Sequence, residues 1–210
     1  AWDQAAGVCH PVQKNCLAWL SGNGFAFYGG FIAAALFSIW YIRRQHWPAA
    51  KICDMSGWTI LLGLAWGRMG CFLSGCCFGA VTHGPAGLSF PPASPASRSQ
   101  WEEGLLSSYR LDSLPVHPTQ LYEAAASLLI AALAYFVVYP RRRFDGQTFV
   151  FSMVAYAVVR FLIEFVRRDD RGGLLGLSTS QLIALGMVAA CGYLYVVFRR
   201  QAVRSTPGAL

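Results

Sequence analysis

The chain has 210 residues, of which 55% are hydrophobic, 14% aromatic and only 13% charged. That charged share is about half the usual value for a soluble domain, so the composition excludes an ordinary water-soluble protein and points to the membrane class. The net charge of +7 is spread along the chain rather than gathered on one polar segment, which excludes a nucleic-acid-binding surface.

The chain opens on Ala1 with no signal peptide before it, so it reads as a processed protein or a fragment whose beginning is missing. Asp3, His10, Pro11 and Lys14 interrupt segment 1–24, which is expected to lie on the outer face. Five stretches, about 25–42, 55–74, 119–139, 147–166 and 178–198, are long and apolar enough to span or nearly span a bilayer. They predict an all-α, polytopic integral membrane protein with a single membrane domain over 1–210. Basic residues in the short loops set its orientation. Nine of them (Arg43, Arg44, Lys51, Arg141, Arg142, Arg143, Arg199, Arg200 and Arg204) fall on one side, which is expected to be cytoplasmic. Six (Lys14, Arg98, Arg110, Arg167, Arg168 and Arg171) fall on the other, and Arg68 and Arg160 lie within spans. The loop 78–116 is then expected outside; its "PAGLSFPPASPASRSQ" has no strong periodicity, and long loops of that kind are functional or disordered.

In chain order, "GFAFYGGF" (24–31) opens the first span. Gly29 and Gly30 allow close approach of a helix or of a ligand. Tyr28 sits at the outer boundary, as a belt tyrosine or as a catalytic side chain. The second span ends in "GRMGCFLSGCCFG" (67–79), where Arg68 stands 14 residues past the cytoplasmic entry at Asp54. At about 1.5 Å per residue, that is about 21 Å up a core of about 30 Å. The third span is opened by "LPVHPTQLYE" (114–123), with Pro118 in the first helical turn. His117 could act as acid or base, bind a headgroup oxygen, or cap a loop carbonyl. Gln120 and Glu123 share a face, Tyr122 suits the aromatic belt, and Glu123 lies about 9 Å below the outer surface. In the fourth span Tyr156, Arg160 and Glu164 recur every four residues on one face, which Arg167 continues. Arg160 lies 14 residues past Gly146, at the depth of Arg68.

Charge inside a span marks a functional candidate. Two guanidiniums at headgroup depth suit a phosphate, because each presents a planar fork of donors. The alternative is internal pairing with Glu123 and Glu164, which would neutralise the set. Of the seven cysteines, Cys53 and Cys191 read as packing thiols, and Cys9 and Cys16 as a possible outer-face disulfide. Cys71, Cys76 and Cys77 have C-x4-C-C spacing, which lacks the CxxC of zinc and thioredoxin-like sites. No metal and no cofactor are expected.

Four motifs together resemble the bacterial prolipoprotein diacylglyceryl transferases. "GRMGCFLSGCCFG" is similar to that family's signature beginning G-R-x-G-N-F, and "HPTQLYE" to its H-P-[ST]-Q-L-Y-E. "YAVVRFLIEFVR" (156–167) resembles its Y-x-x-x-R-x-x-x-E-x-x-R helix, and "FYGGFIAA" its H-G-G-L segment. The motifs keep the family's order, over about 20–200. The resemblance implies a monomeric enzyme of the bacterial inner membrane, with its active site toward the outer leaflet. It would transfer the diacylglyceryl group of phosphatidylglycerol to the thiol of a lipobox cysteine in a prolipoprotein signal peptide. Arg68 and Arg160 would polarise the phosphate, with Tyr156 supporting Arg160 and Tyr28 and His117 as further catalytic candidates. Gly29, Gly30, Gly67, Gly70, Cys71, Gly75, Gly79, Gln120, Tyr122, Glu123, Glu164 and Arg167 would shape the substrate pocket. The chain departs from the pattern at Tyr28, where the family has histidine, and at Cys71, where it has asparagine. Cys76 and Cys77 replace a glutamate and its neighbour, and the family's first one or two spans have no counterpart before residue 20. Two other functions remain open on these residues: a membrane thiol protein relaying redox equivalents or a soft metal through Cys71, Cys76 and Cys77, and a lipid-binding relative without activity.

Overall fold

A computed structural model describes residues 25–167, 173–174 and 177–204, with the side chains of 25–32, of Leu174 and of the terminal Arg204 outside the description. Segment 1–24, with Cys9 and Cys16, and the side chain of Tyr28 therefore lie outside the described residues. The chain divides into two compact units at Ala49–Ala50.

The first unit contains helix α1, Phe25–Arg44. Its sequence is apolar over most of its length and ends on Arg43 and Arg44, cations that suit the negative end of the helix dipole. Phe37, Trp40, Tyr41 and Trp47 form a chain of ring contacts near this end, and Arg44 lies over the Trp40 ring at 5.6 Å. Tryptophan, tyrosine and arginine gathered at one helix end are the anchors a membrane interface selects.

The second unit is built on four long helices: α2 Ala49–Ser74, α4 Thr119–Leu133, α5 Gln147–Glu164 and α6 Thr179–Arg204. A five-residue π turn, Ala134–Val138, extends α4. A two-residue antiparallel pair, β1 Gly173–Leu174 and β2 Leu177–Ser178, leads into α6. Among the described residues, three helices are long and apolar enough to cross a membrane: Thr119–Val138, Gln147–Glu164 and Thr179–Val203. Their outward residues are large and apolar, including Leu129, Phe136, Leu162, Phe165, Ile183 and Tyr193.

The inside of this unit is made of small residues. Ala65, Ala124, Ser127, Ala131, Ser152, Ala157 and Ala184 are all buried. Lipid is as apolar as leucine, so helices in a bilayer gain from close backbone packing more than from burying large side chains. Gly57 marks a close backbone approach: a Cβ there would come within 2.9 Å of the Phe149 Cα on α5. Larger residues fill one seam, where Leu61 of α2 and Ile130 of α4 meet Trp58, Phe151 and Val159.

The segment between α2 and α4 is folded. It carries a short helix, α3 Pro95–Glu102, capped by the Ser94 hydroxyl with Pro95 in its first turn. Phe90, Ala96 and Val116 form a small core against Phe72, Phe78 and Val81. Val116 bridges to both Val81 and Leu88, and the buried Gln100 accepts from the Leu114 N–H at 2.7 Å. This order is at odds with the absence of periodicity in 78–116, because it rests on one N-cap and a few long-range contacts rather than on a repeating pattern.

Candidate functional site

The last turns of α2 carry Arg68 and Cys71, and the helix stops at Gly75, which has φ +67°. The Gly75 N–H donates to the Phe72 carbonyl (3.0 Å) and the Cys76 N–H to the Cys71 carbonyl (3.1 Å). This paired 5→2 and 6→1 pattern is a Schellman stop, and a left-handed glycine makes it possible. The chain then runs into the start of α4. Thr119 donates its hydroxyl to the Cys77 carbonyl (2.9 Å), and Gln120 donates its amide to the Cys76 carbonyl (2.6 Å). The Gly79 N–H donates to the His117 carbonyl at 2.8 Å, and a Cβ on Gly79 would lie 2.7 Å from the Thr119 methyl. Gly75 and Gly79 are thus fixed by backbone geometry. A Cβ at Gly67 or Gly70 would meet nothing within 4 Å among the described residues, so those two positions are open rather than packed.

Three helices meet at Glu123, which is 1% exposed. Its Oε1 accepts from the Arg68 guanidinium (3.0 Å) and from the Tyr156 hydroxyl (2.8 Å). A buried carboxylate is held at little cost only when it is paired and hydrogen-bonded, and Glu123 has both. Arg68 is not fully engaged: its buried Nε has no partner among the described residues, while 18% of the side chain stays exposed. One turn beyond Tyr156 on α5, Arg160 pairs with Glu164 at 2.6 Å and donates to the Ser180 hydroxyl of α6 at 2.8 Å. Arg167 is buried just past the helix end, its N–H bonded to the Glu164 carbonyl.

Each in-span arginine therefore has an in-span glutamate, which is the internal pairing that the sequence left as one alternative. The count from the helix entries puts Arg68, Arg160 and Glu123 at one level; the structure joins Arg68 to Glu123, but the group from α5 that meets them is Tyr156, one turn before Arg160. Tyr156 departs from its expected partner. It lies on the Arg160 face of α5, yet its hydroxyl turns to Glu123, the acceptor that faces it from α4. His117 is half-buried, with Nδ1 3.4 Å from the Tyr122 hydroxyl, and these two form a separate pair at the head of α4. Gly29 and Gly30 belong to α1 in the first unit.

The three cysteines come together despite their spacing. The Sγ atoms of Cys71, Cys76 and Cys77 all lie within 4.8 Å of one another. Burial and the neighbouring thiols push the Cys76 thiol up to about 12, so on its own it is no nucleophile at neutral pH.

Sequence patterning does not single out Asp54, Ser180 or Thr119. Asp54 is 1% exposed near the start of α2 and accepts from three N–H groups at the start of α5: Gly146 and Thr148 at 2.8 Å and Phe149 at 3.2 Å. A lone acid near a predicted span entry was the only available signal.

Comparison with known proteins identifies the family. The family model described as prolipoprotein diacylglyceryl transferase matches residues 10–197. A phosphatidylglycerol–prolipoprotein diacylglyceryl transferase of Clostridium tetani is 32% identical over 86% of this chain and 67% of its own length. One of Clostridium perfringens is 30% identical over 88% of this chain and 66% of its own. One of Dehalococcoides mccartyi is 34% identical over 88% and 65%. The chain spans about two thirds of the length of these curated relatives.

Proposed function

Because the chain belongs to the prolipoprotein diacylglyceryl transferase family, we propose that it transfers the diacylglyceryl group of phosphatidylglycerol to the cysteine thiol of a prolipoprotein lipobox. The C–O bond between diacylglycerol and phosphate breaks, a C–S thioether bond forms, the thiol proton is lost and glycerol phosphate leaves. The protein's work is to hold the phosphate while negative charge gathers on its leaving oxygen, and to keep the thiol close by. Preorganised donors in a site of low dielectric are the strongest means of doing so.

The observation that carries this reading is the pair of arginines on neighbouring helices, each steadied by a glutamate, with the Arg68 Nε unpartnered. The 18% of the Arg68 side chain that stays exposed is the part a phosphate oxygen would reach. Cys71, Gly75, Gly79 and Gln120 would form the wall beside Arg68. Tyr156, Glu164 and Arg167 would support the Arg160 side, and His117 with Tyr122 would border the outer entrance. Tyr28, the motif tyrosine, is suited to donate rather than to act as a base, since a tyrosine is neutral near pH 7. In this reading α1 and α2 cross the membrane as well, giving five spans. The protein works as a monomer in the bacterial inner membrane, with segment 78–116 and the site on the outer side, where signal peptides emerge.

The test is conversion of a lipobox peptide to its thioether by the chain in phosphatidylglycerol vesicles. Arg68→Ala and Arg160→Ala should each cut the rate by on the order of 10²–10³, the usual cost of removing a preorganised donor to a developing anion. Undiminished conversion by both variants would overturn the assignment.

A further inference from the structure

Beyond this transfer reaction, we propose that Cys71, Cys76 and Cys77 form a trigonal thiolate site for one soft monovalent metal ion of the Cu(I) class. Two independent features support it. The first is sulfur geometry. An equilateral triangle of side 4.8 Å, the widest the three Sγ atoms allow, has its centre about 2.8 Å from each corner. Metal–thiolate bonds are about 2.3 Å, so the sulfurs need to close by about half an ångström each, within reach of small side-chain rotations.

The second is the backbone that brings the sulfurs there. Cys77 has φ +61°, a left-handed conformation unfavourable for any residue with a Cβ. Such strain persists only where the surroundings impose it, and it gathers at ligand clamps. Here the surroundings are explicit: Thr119 and Gln120 of α4 hold the carbonyls of Cys77 and Cys76, and the Schellman bond ties Cys76 back to Cys71. The trio is thus preorganised and half-buried, open enough for an ion to enter.

The donor set selects the ion. Thiolates favour soft metals, Cu(I) and Zn(II) among them. Structural zinc takes four ligands, and among the described residues no fourth histidine, cysteine or carboxylate joins the group. Three-coordination without a fourth ligand suits Cu(I). Binding releases three thiol protons and leaves the site with two negative charges, and Arg68, one helical turn before Cys71, offsets part of them.

The experiment uses the full chain, purified in detergent under anaerobic reducing conditions. Cu(I) is supplied as its acetonitrile complex against a competing chromogenic chelator. The expected result is one equivalent retained per chain, with X-ray absorption showing three sulfurs around copper. Cys71→Ser and Cys77→Ser should each lose that equivalent while eluting as the wild type does on size exclusion. The variant with Cys53 and Cys191 both changed to Ser should keep it. Failure to retain copper, retention undiminished by both Cys71→Ser and Cys77→Ser, or a two-sulfur environment would each overturn the proposal. None of these readouts depends on transferase activity.

Discussion

The two ends of helix α2 each join it to its neighbours through a buried charge, yet they are built on opposite principles. At the end that the proposed orientation places inside, Asp54 accepts from three N–H groups at the start of α5, and Arg142 lies 3.5 Å from the same carboxylate. The first N–H groups of any helix lack intrahelical partners, so Asp54 acts as an N-cap supplied from another helix. Arg142 is itself engaged, donating to the Tyr139 carbonyl at 2.8 Å and lying 4.1 Å over the Tyr139 ring. At the end that this orientation places outside, Arg68 spends part of its fork on Glu123 and leaves Nε without a partner among the described residues. A charge network with every group satisfied is a joint. One with a donor to spare is a place for a ligand.

The largest expected effect tests the joint. Asp54→Ala removes the cap and leaves three helix N–H groups and a half-buried arginine without their acceptor. Breaking a buried charge pair from one side costs about 3–5 kcal/mol. The unfolding midpoint in detergent should fall by roughly 10 °C, while the rate per folded molecule in the lipobox assay stays near that of the parent. A variant that keeps its midpoint and loses its rate would reverse the two roles.

A smaller effect sharpens the outer end. Tyr156→Phe removes one of the two donors to Glu123 and leaves Arg68 as the other. A hydrogen bond to a charged group contributes about 1.5–3 kcal/mol, of which part returns as Arg68 shifts toward the freed oxygen. The lipobox rate should drop about tenfold, with little change in the unfolding midpoint. A pure stability loss would make Tyr156 another part of the joint.

The same contrast explains what could be read from the sequence. Arg68, Glu123, Tyr156 and Arg160 were legible because charge in an apolar span is rare, and because depth follows from counting residues at a fixed rise. The long helices were legible for the same reason, as uninterrupted apolar runs. Which partner each group takes was not, since Tyr156 shares a face with Arg160 but turns to a carboxylate on another helix. Asp54 looked like an ordinary residue at a span entry, because a cap across 92 positions of sequence leaves no local pattern. The cysteine trio was visible as a candidate, but its spacing counted against a metal site for a related reason. Ligand spacing rules assume an ordinary loop, whereas here a Schellman stop and a left-handed Cys77 fold the chain back on itself.

The smallest prediction concerns the one loose end at the inner joint. Thr148 is fully buried, and its N–H is taken by Asp54, but its hydroxyl has no partner. If the inner end is a closed joint, that hydroxyl contributes nothing and carries a desolvation penalty. Thr148→Val keeps the shape and replaces the hydroxyl with a methyl. A buried polar group with no partner costs about 1–3 kcal/mol, so its removal should be neutral or should stabilise by about 1 kcal/mol. The unfolding midpoint would then hold or rise by roughly 2–4 °C. A fall of the same size would mean that the hydroxyl serves a water or a lipid oxygen, and that the inner end, like the outer one, holds a polar group in reserve for something outside the chain.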